Sequence, residues 1–102
     1  MKMEKWAIAD KCVLQMFKLL CLSIVDGEVI ENGKVLRWDE CRCYEFPATI
    51  TLPSGIKVDT LLLFGDGTFE IHEYDTTDAY CWSEYEIEDL TFIYNTLTHI
   101  SL

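Results

Sequence analysis

Residues 48–71 read ATITLPSGIKVDTLLLFGDGTFEI, and the placing of turns within this stretch decides the fold. Residues opposite each other on antiparallel strands point to the same side of a sheet, so each possible turn is tested by the pairs it creates. A three-residue loop Pro53-Ser54-Gly55 sets Leu52 against Ile56 and Ile50 against Val58, apolar on apolar. A two-residue loop would set Leu52 against Lys57 and Ile50 against Asp59. The longer loop is therefore predicted, with Gly55 in the left-handed conformation. By the same test, an Asp66-Gly67 turn pairs Phe64 with Phe69 and Leu62 with Ile71. These registers predict an apolar face of Ala48, Ile50, Leu52, Ile56, Val58, Leu62, Phe64, Phe69 and Ile71. The opposite face carries Thr49, Thr51, Lys57, Asp59, Glu70 and His72, and with them Leu61 and Leu63. Two leucines on a solvated face predict a cover over that corner, supplied by another part of the chain or by a partner.

Toward the N-terminus the strongest local signal is Val29-Ile30-Glu31, Asn32-Gly33, Lys34-Val35-Leu36. Asn-Gly accepts positive φ at both central positions, as a type I′ hairpin requires. Closing the hairpin there opposes Glu31 to Lys34 and Glu28 to Arg37, two pairs of opposite charge. Between this hairpin and residue 48, Trp38–Phe46 reads as an irregular turn followed by a short strand, with Pro47 at its end or at an edge position. From about Met3 to Val25, Trp6, Ala9, Val13, Phe17, Leu20 and Ile24 recur at helical spacing, which predicts an amphipathic helix. Its last turns are apolar nearly all round, predicting an end deep in the core, and Asp26-Gly27 reads as its stop.

Toward the C-terminus, Asp75–Asp78 reads as a polar loop, and Tyr80 and Trp82 as a short strand or aromatic plug. Ser83-Glu84-Tyr85-Glu86 has the spacing of a capping box, after which Ile87, Leu90, Ile93 or Tyr94, Leu97 and Ile100 continue a helix. The expectation is one α+β domain over residues 1–102: an N-terminal helix, an antiparallel β-meander of about five or six strands and a C-terminal helix. The first helix is expected across the apolar face of the sheet, the second beside it or on the opposite face.

The net charge of −10 is unevenly distributed. Residues 1–51 hold 8 acids and 7 bases, whereas residues 52–102 hold 10 acids and Lys57 alone. Phosphate binding needs clustered Lys and Arg, so direct contact with nucleic acid is not expected of the second half, nor is binding to an anionic membrane. The five cysteines, Cys12, Cys21, Cys41, Cys43 and Cys81, are an odd number and do not suggest a disulfide framework, which predicts a cytoplasmic protein. Asp10, Lys11 and Lys18 interrupt the N-terminal region, and no small-residue cleavage site follows the apolar run, so no signal peptide is predicted.

Motifs for chemistry are scarce. Cys41-x-Cys43 with His72 and Cys81 could supply zinc ligands, but the spacing is that of alternate strand residues, and buried thiols are the simpler reading. Gly65-Asp66-Gly67 lacks the regularly spaced oxygens of a calcium loop. No nucleophile elbow, phosphate loop, zinc-protease helix or dinucleotide fingerprint occurs. No catalytic residue, cofactor or metal is therefore predicted, and a non-enzymatic interaction protein is favoured over a small-ligand-binding domain or an enzyme with a scattered site. The partner is expected to be a second copy or another subunit at Leu61 and Leu63. Alternatively it is a basic, nucleic-acid-binding protein met by acids interleaved with His72, Tyr74, Tyr80, Trp82, Glu84 and Tyr85.

Overall fold

A computed structural model describes residues 4–101. Helix α1, Lys5–Leu20, buries Ile8, Ala9, Cys12, Met16 and Phe17, one face at three- and four-residue steps. It ends earlier than its periodicity predicts. Cys21 takes the left-handed conformation (φ 57°, ψ 43°), and its N–H donates to the Phe17 carbonyl. The β-branched residues beyond then form strand β1, Ser23–Val25, paired antiparallel with β2, Glu28–Glu31. Asp26 and Gly27, both at positive φ, close a hairpin there rather than stopping a helix. Ile24 and Val25 are exposed, so the expected burial at the helix end is confined to Leu22, with Leu19 and Leu20 only partly covered.

The Asn32-Gly33 hairpin joins β2 to β3, Lys34–Val35, with Glu31 opposite Lys34 as predicted. The ion pairs fall elsewhere. Glu31 accepts from Arg42 Nε at 2.9 Å, with Arg42 Nη2 at 2.8 Å, and this pair ties the small sheet to the large one. Arg37 meets Asp39 and Glu40, not Glu28, because the ladder ends after the Leu36 N–H donates to Val29.

The large sheet is a meander in the order β4 (Cys41–Thr51), β5 (Lys57–Phe64), β6 (Phe69–Glu73), β7 (Ala79–Cys81). The described residues thus form seven strands in two antiparallel sheets, where one meander of five or six was expected. β4 is an edge strand longer than predicted, and its register shifts between Glu45 and Ile50, so Pro47 sits where no regular ladder bond is required. The Pro53-Ser54-Gly55 loop is as predicted: Ile50 faces Val58, the Leu52 N–H donates to Ile56, and Gly55 has φ 95°.

The second turn differs by one residue. Leu63 faces Phe69 and Leu61 faces Ile71, because the loop is the three-residue Gly65-Asp66-Gly67, closed by the Phe64 N–H donating to Thr68, with Gly67 at φ 87°. A bulge between Val58 and Thr60 absorbs the change of parity, so Val58, Leu61 and Leu63 share the inner face. Leu61 and Leu63 are 0% exposed, which removes them from any partner surface, and Leu62 and Phe64 take the outward positions assigned to them.

Helix α2, Ile87–Ile100, places Leu90, Ile93 and Leu97 in the same buried cluster as α1 and the inner sheet face, so it packs beside α1. The capping box lies two residues earlier than predicted. Glu84 accepts from the Cys81 N–H and closes a 3₁₀ turn, Trp82–Glu84, whereas α2 begins after Glu86. Of the acids at this end, Glu84, Glu86 and Glu88 are solvated, but Asp89 is buried. Its two oxygens accept from the Ser54 N–H at 3.0 Å and the Ser54 hydroxyl at 2.7 Å, which fastens the 53–55 loop to the first turn of α2. None of the helices among the described residues is long and apolar enough to cross a membrane.

Candidate functional site

Both helices lie on one side of the β4–β7 sheet, so among the described residues its other face has no helical cover. The registers set out that face in rows: Glu45, Thr60, His72 and Ala79; then Cys43, Leu62, Glu70 and Cys81; then Cys41 and Phe64. All of these are half-buried or exposed. At the Phe64 end the β3–β4 connection passes over the sheet edge and holds out Trp38, 73% exposed. Trp38, Asp39, Phe64, Asp66, Thr68 and Glu70 line a shallow cleft of about 280 Å³. Asp39 is paired with Arg37, and Asp66 accepts from the Thr68 N–H and hydroxyl in its turn. Glu70 takes part in none of the ion pairs among the described residues.

His72 is on this outer face, its Nδ1 2.8 Å from Asp59 Oδ1 at the β5 bulge. Burial pushes the Asp59 carboxyl up, but hydrogen bonds from His72 and Thr60 outweigh it and hold the group below the usual carboxylate range. The pair resembles the base and orienting acid of a catalytic triad, yet no nucleophile completes it. Cys43 and Cys81 stand in the next row, neither is hydrogen-bonded to the ring among the described residues, and burial together with the neighbouring Cys41 raises the Cys43 thiol rather than activating it. Cys43 and Cys81 stand three strands apart, about 14 Å at normal strand spacing, too far to share one ion. Among the described residues no group of three metal-ligating side chains is assembled.

The aromatic and acidic residues singled out from sequence are divided by the fold. Tyr74 and Tyr80 are exposed, and the Tyr80 hydroxyl donates to Asp78 at 3.3 Å. Trp82 is half-buried against the core, and Tyr85 is buried with its hydroxyl donating to Glu73 at 2.9 Å. Glu84 serves its local turn. Of the expected partner surface, Leu61, Leu63 and Tyr85 are therefore lost to the core, whereas Tyr74, Tyr80 and Glu84 are exposed and His72 and Trp82 keep partial solvent contact. Trp38 is absent from the expected partner surface because the sequence places it only at the start of an irregular turn, with no pattern that assigns it a face. The one available signal is its place next to Asp39-Glu40, inside the break rather than in a strand.

Two buried groups set the alkaline limit of the fold. Burial pushes the Cys12 thiol from 9.0 up to about 12, and its sulfur lies 3.7 Å from the Leu90 carbonyl in the helix–helix contact. Tyr85 is also raised above its ordinary value, by burial and then by its hydrogen bond to Glu73. In both cases the unfolded chain ionises first, so stability is intact below pH 9 and falls as pH rises. The Cys12 contribution is about 1.4 kcal/mol per pH unit above that point. Denaturant midpoints measured from about pH 8 to about pH 11 should fall steeply in the wild type and less steeply in Cys12→Ala; parallel curves would contradict the assignment.

Comparison with known protein families, with curated proteins and with solved structures finds no match.

Proposed function

We propose that this chain is a non-enzymatic interaction protein that docks a basic segment of another protein on the outer face of the β4–β7 sheet. The observation that carries this reading is Trp38, 73% exposed beside Phe64 in a cleft whose other walls include Asp39, Asp66 and Glu70. An aromatic face next to carboxylates suits a guanidinium or ammonium group, which gains from the ring quadrupole and the carboxylates together. Phosphate would be repelled there, so a nucleic-acid-binding protein fits the site better than nucleic acid itself. Occupying such a protein's basic surface would make this chain a decoy or an accessory subunit. The acidic remainder of residues 52–102 would speed encounter without defining the contact. Five free cysteines suit a reducing cytoplasm.

An oligo-arginine peptide carrying a fluorophore is the probe. Anisotropy titrations should show binding that weakens as salt rises, with Trp38→Ala and Glu70→Gln each weakening it about tenfold, the size of a lost contact of about 1.4 kcal/mol. Asp78→Asn, which removes the same charge outside the cleft, should change it little. Equal losses for Asp78→Asn and Glu70→Gln, or binding indifferent to salt or to Trp38→Ala, would refute the reading.

A further inference from the structure

We infer that two copies of this chain pair through α1, antiparallel, about a two-fold axis at Leu14. This surface meets the Trp38 cleft only at Asp66, which borders both, and the inference does not depend on the reading of that cleft. Trp6, Asp10, Leu14 and Lys18 follow one another at four-residue intervals and form a single ridge on α1, turned away from Ile8, Ala9, Cys12 and Met16 in the core. All four are exposed, Trp6 by 60% and Leu14 by 55%. Leu14 stands between two grooves. One, of about 480 Å³, is lined by Lys11, Leu14, Gln15, Phe17, Lys18 and Tyr94. The other, of about 400 Å³, is lined by Asp10, Val13, Leu14, Phe17, Ile24, Asp66 and Gly67. Ile24, itself exposed on β1, extends the apolar surface beyond the helix.

The order of charges along this ridge selects the occupant. When the four-residue ridges of two helices lie side by side, which is the commonest mode of helix packing, each ridge fills the other's groove. With the helices antiparallel about Leu14, the two Leu14 side chains meet, Asp10 of each copy faces Lys18 of the other, and both ion pairs form at once. Parallel packing would instead set Asp10 against Asp10 and Lys18 against Lys18. A two-fold interface requires a patch complementary to itself, and Asp-x3-Leu-x3-Lys is that for the antiparallel arrangement alone.

Sedimentation equilibrium of the whole chain tests this, with unfolding curves alongside to show that each variant keeps its fold. The wild type should approach twice 11.9 kDa at high concentration, and Leu14→Lys should stay monomeric with unchanged stability. Asp10→Lys and Lys18→Asp should each weaken the dimer about tenfold or more, and combining them should restore it. Leu14→Cys should give, on mild oxidation, a dimer whose disulfide joins the two substituted positions, identified by peptide mass. A monomeric wild type, a doubly reversed variant no better than either single one, or a cross-link confined to the native cysteines would overturn the pairing.

Discussion

Leu61→Glu and Leu63→Glu are each expected to abolish cooperative folding, whereas Leu62→Glu, between them, should shift stability by no more than about 1 kcal/mol. Leu61 and Leu63 are 0% exposed and face Ile71 and Phe69 across the ladder. A carboxylate at either position loses the leucine packing and buries a charge without a partner, a combined cost above about 5 kcal/mol. That is comparable to the whole stability of a domain of this size. Leu62 sits on the outer face between Cys43 and Glu70, so a carboxylate there reaches water and meets only some repulsion from Glu70. Denaturant unfolding of the three variants measures the alternation directly. Under the opposite parity Leu62→Glu would be the variant that fails to fold and its neighbours would be tolerated.

That parity is also where the sequence is least informative. The run Leu61-Leu62-Leu63-Phe64 has no alternation, and pairing Leu62 with Ile71 matches apolar residues as well as pairing Leu61 with it. The decision rests on two irregularities, the bulge after Val58 and the third residue of the Gly65-Asp66-Gly67 loop, and each alone would reverse the faces. The Asn32-Gly33 and Pro53-Ser54-Gly55 hairpins were legible because a demanding turn and a clean pattern of pairs agree at each. The end of α1 was not. Apolar residues on all sides at Leu19–Val25 suit a buried helix and a strand equally, and the left-handed turn falls on a cysteine, which carries no such signal. The outer face of the sheet was foreseen as a surface needing a cover, with Leu61 and Leu63 in place of Leu62 and Phe64. The cleft beside it depends on where a linker crosses the sheet, a tertiary fact with no local trace.

That crossing makes Gly65→Ala the substitution with the largest expected effect for its size. A Cβ at Gly65 would overlap the carbonyl oxygen of Arg37 and come within 2.6 Å of its carbon and 2.7 Å of the Leu36 oxygen. These are backbone atoms, so no rotamer change relieves the overlap. The Gly65 N–H also donates to the Glu40 carbonyl at 3.0 Å, which fixes the linker on both sides of Trp38. One methyl group should therefore push the β3–β4 connection off the end of β5 and cost about 3 kcal/mol, in the range of an overpacked core. Gly55→Ala is the control. Its φ of 95° strains an alanine, yet nothing lies within 4 Å of the added carbon, so the cost should stay near 1–2 kcal/mol by the usual left-handed penalty. The two variants also separate stability from binding. Gly65→Ala, in the fraction that remains folded, should lose affinity for the oligo-arginine probe because Trp38 is displaced, while folded Gly55→Ala should bind as the wild type does. Equal denaturation midpoints for the two variants would show that the linker does not pass against Gly65, and the cleft built on that contact would go with it.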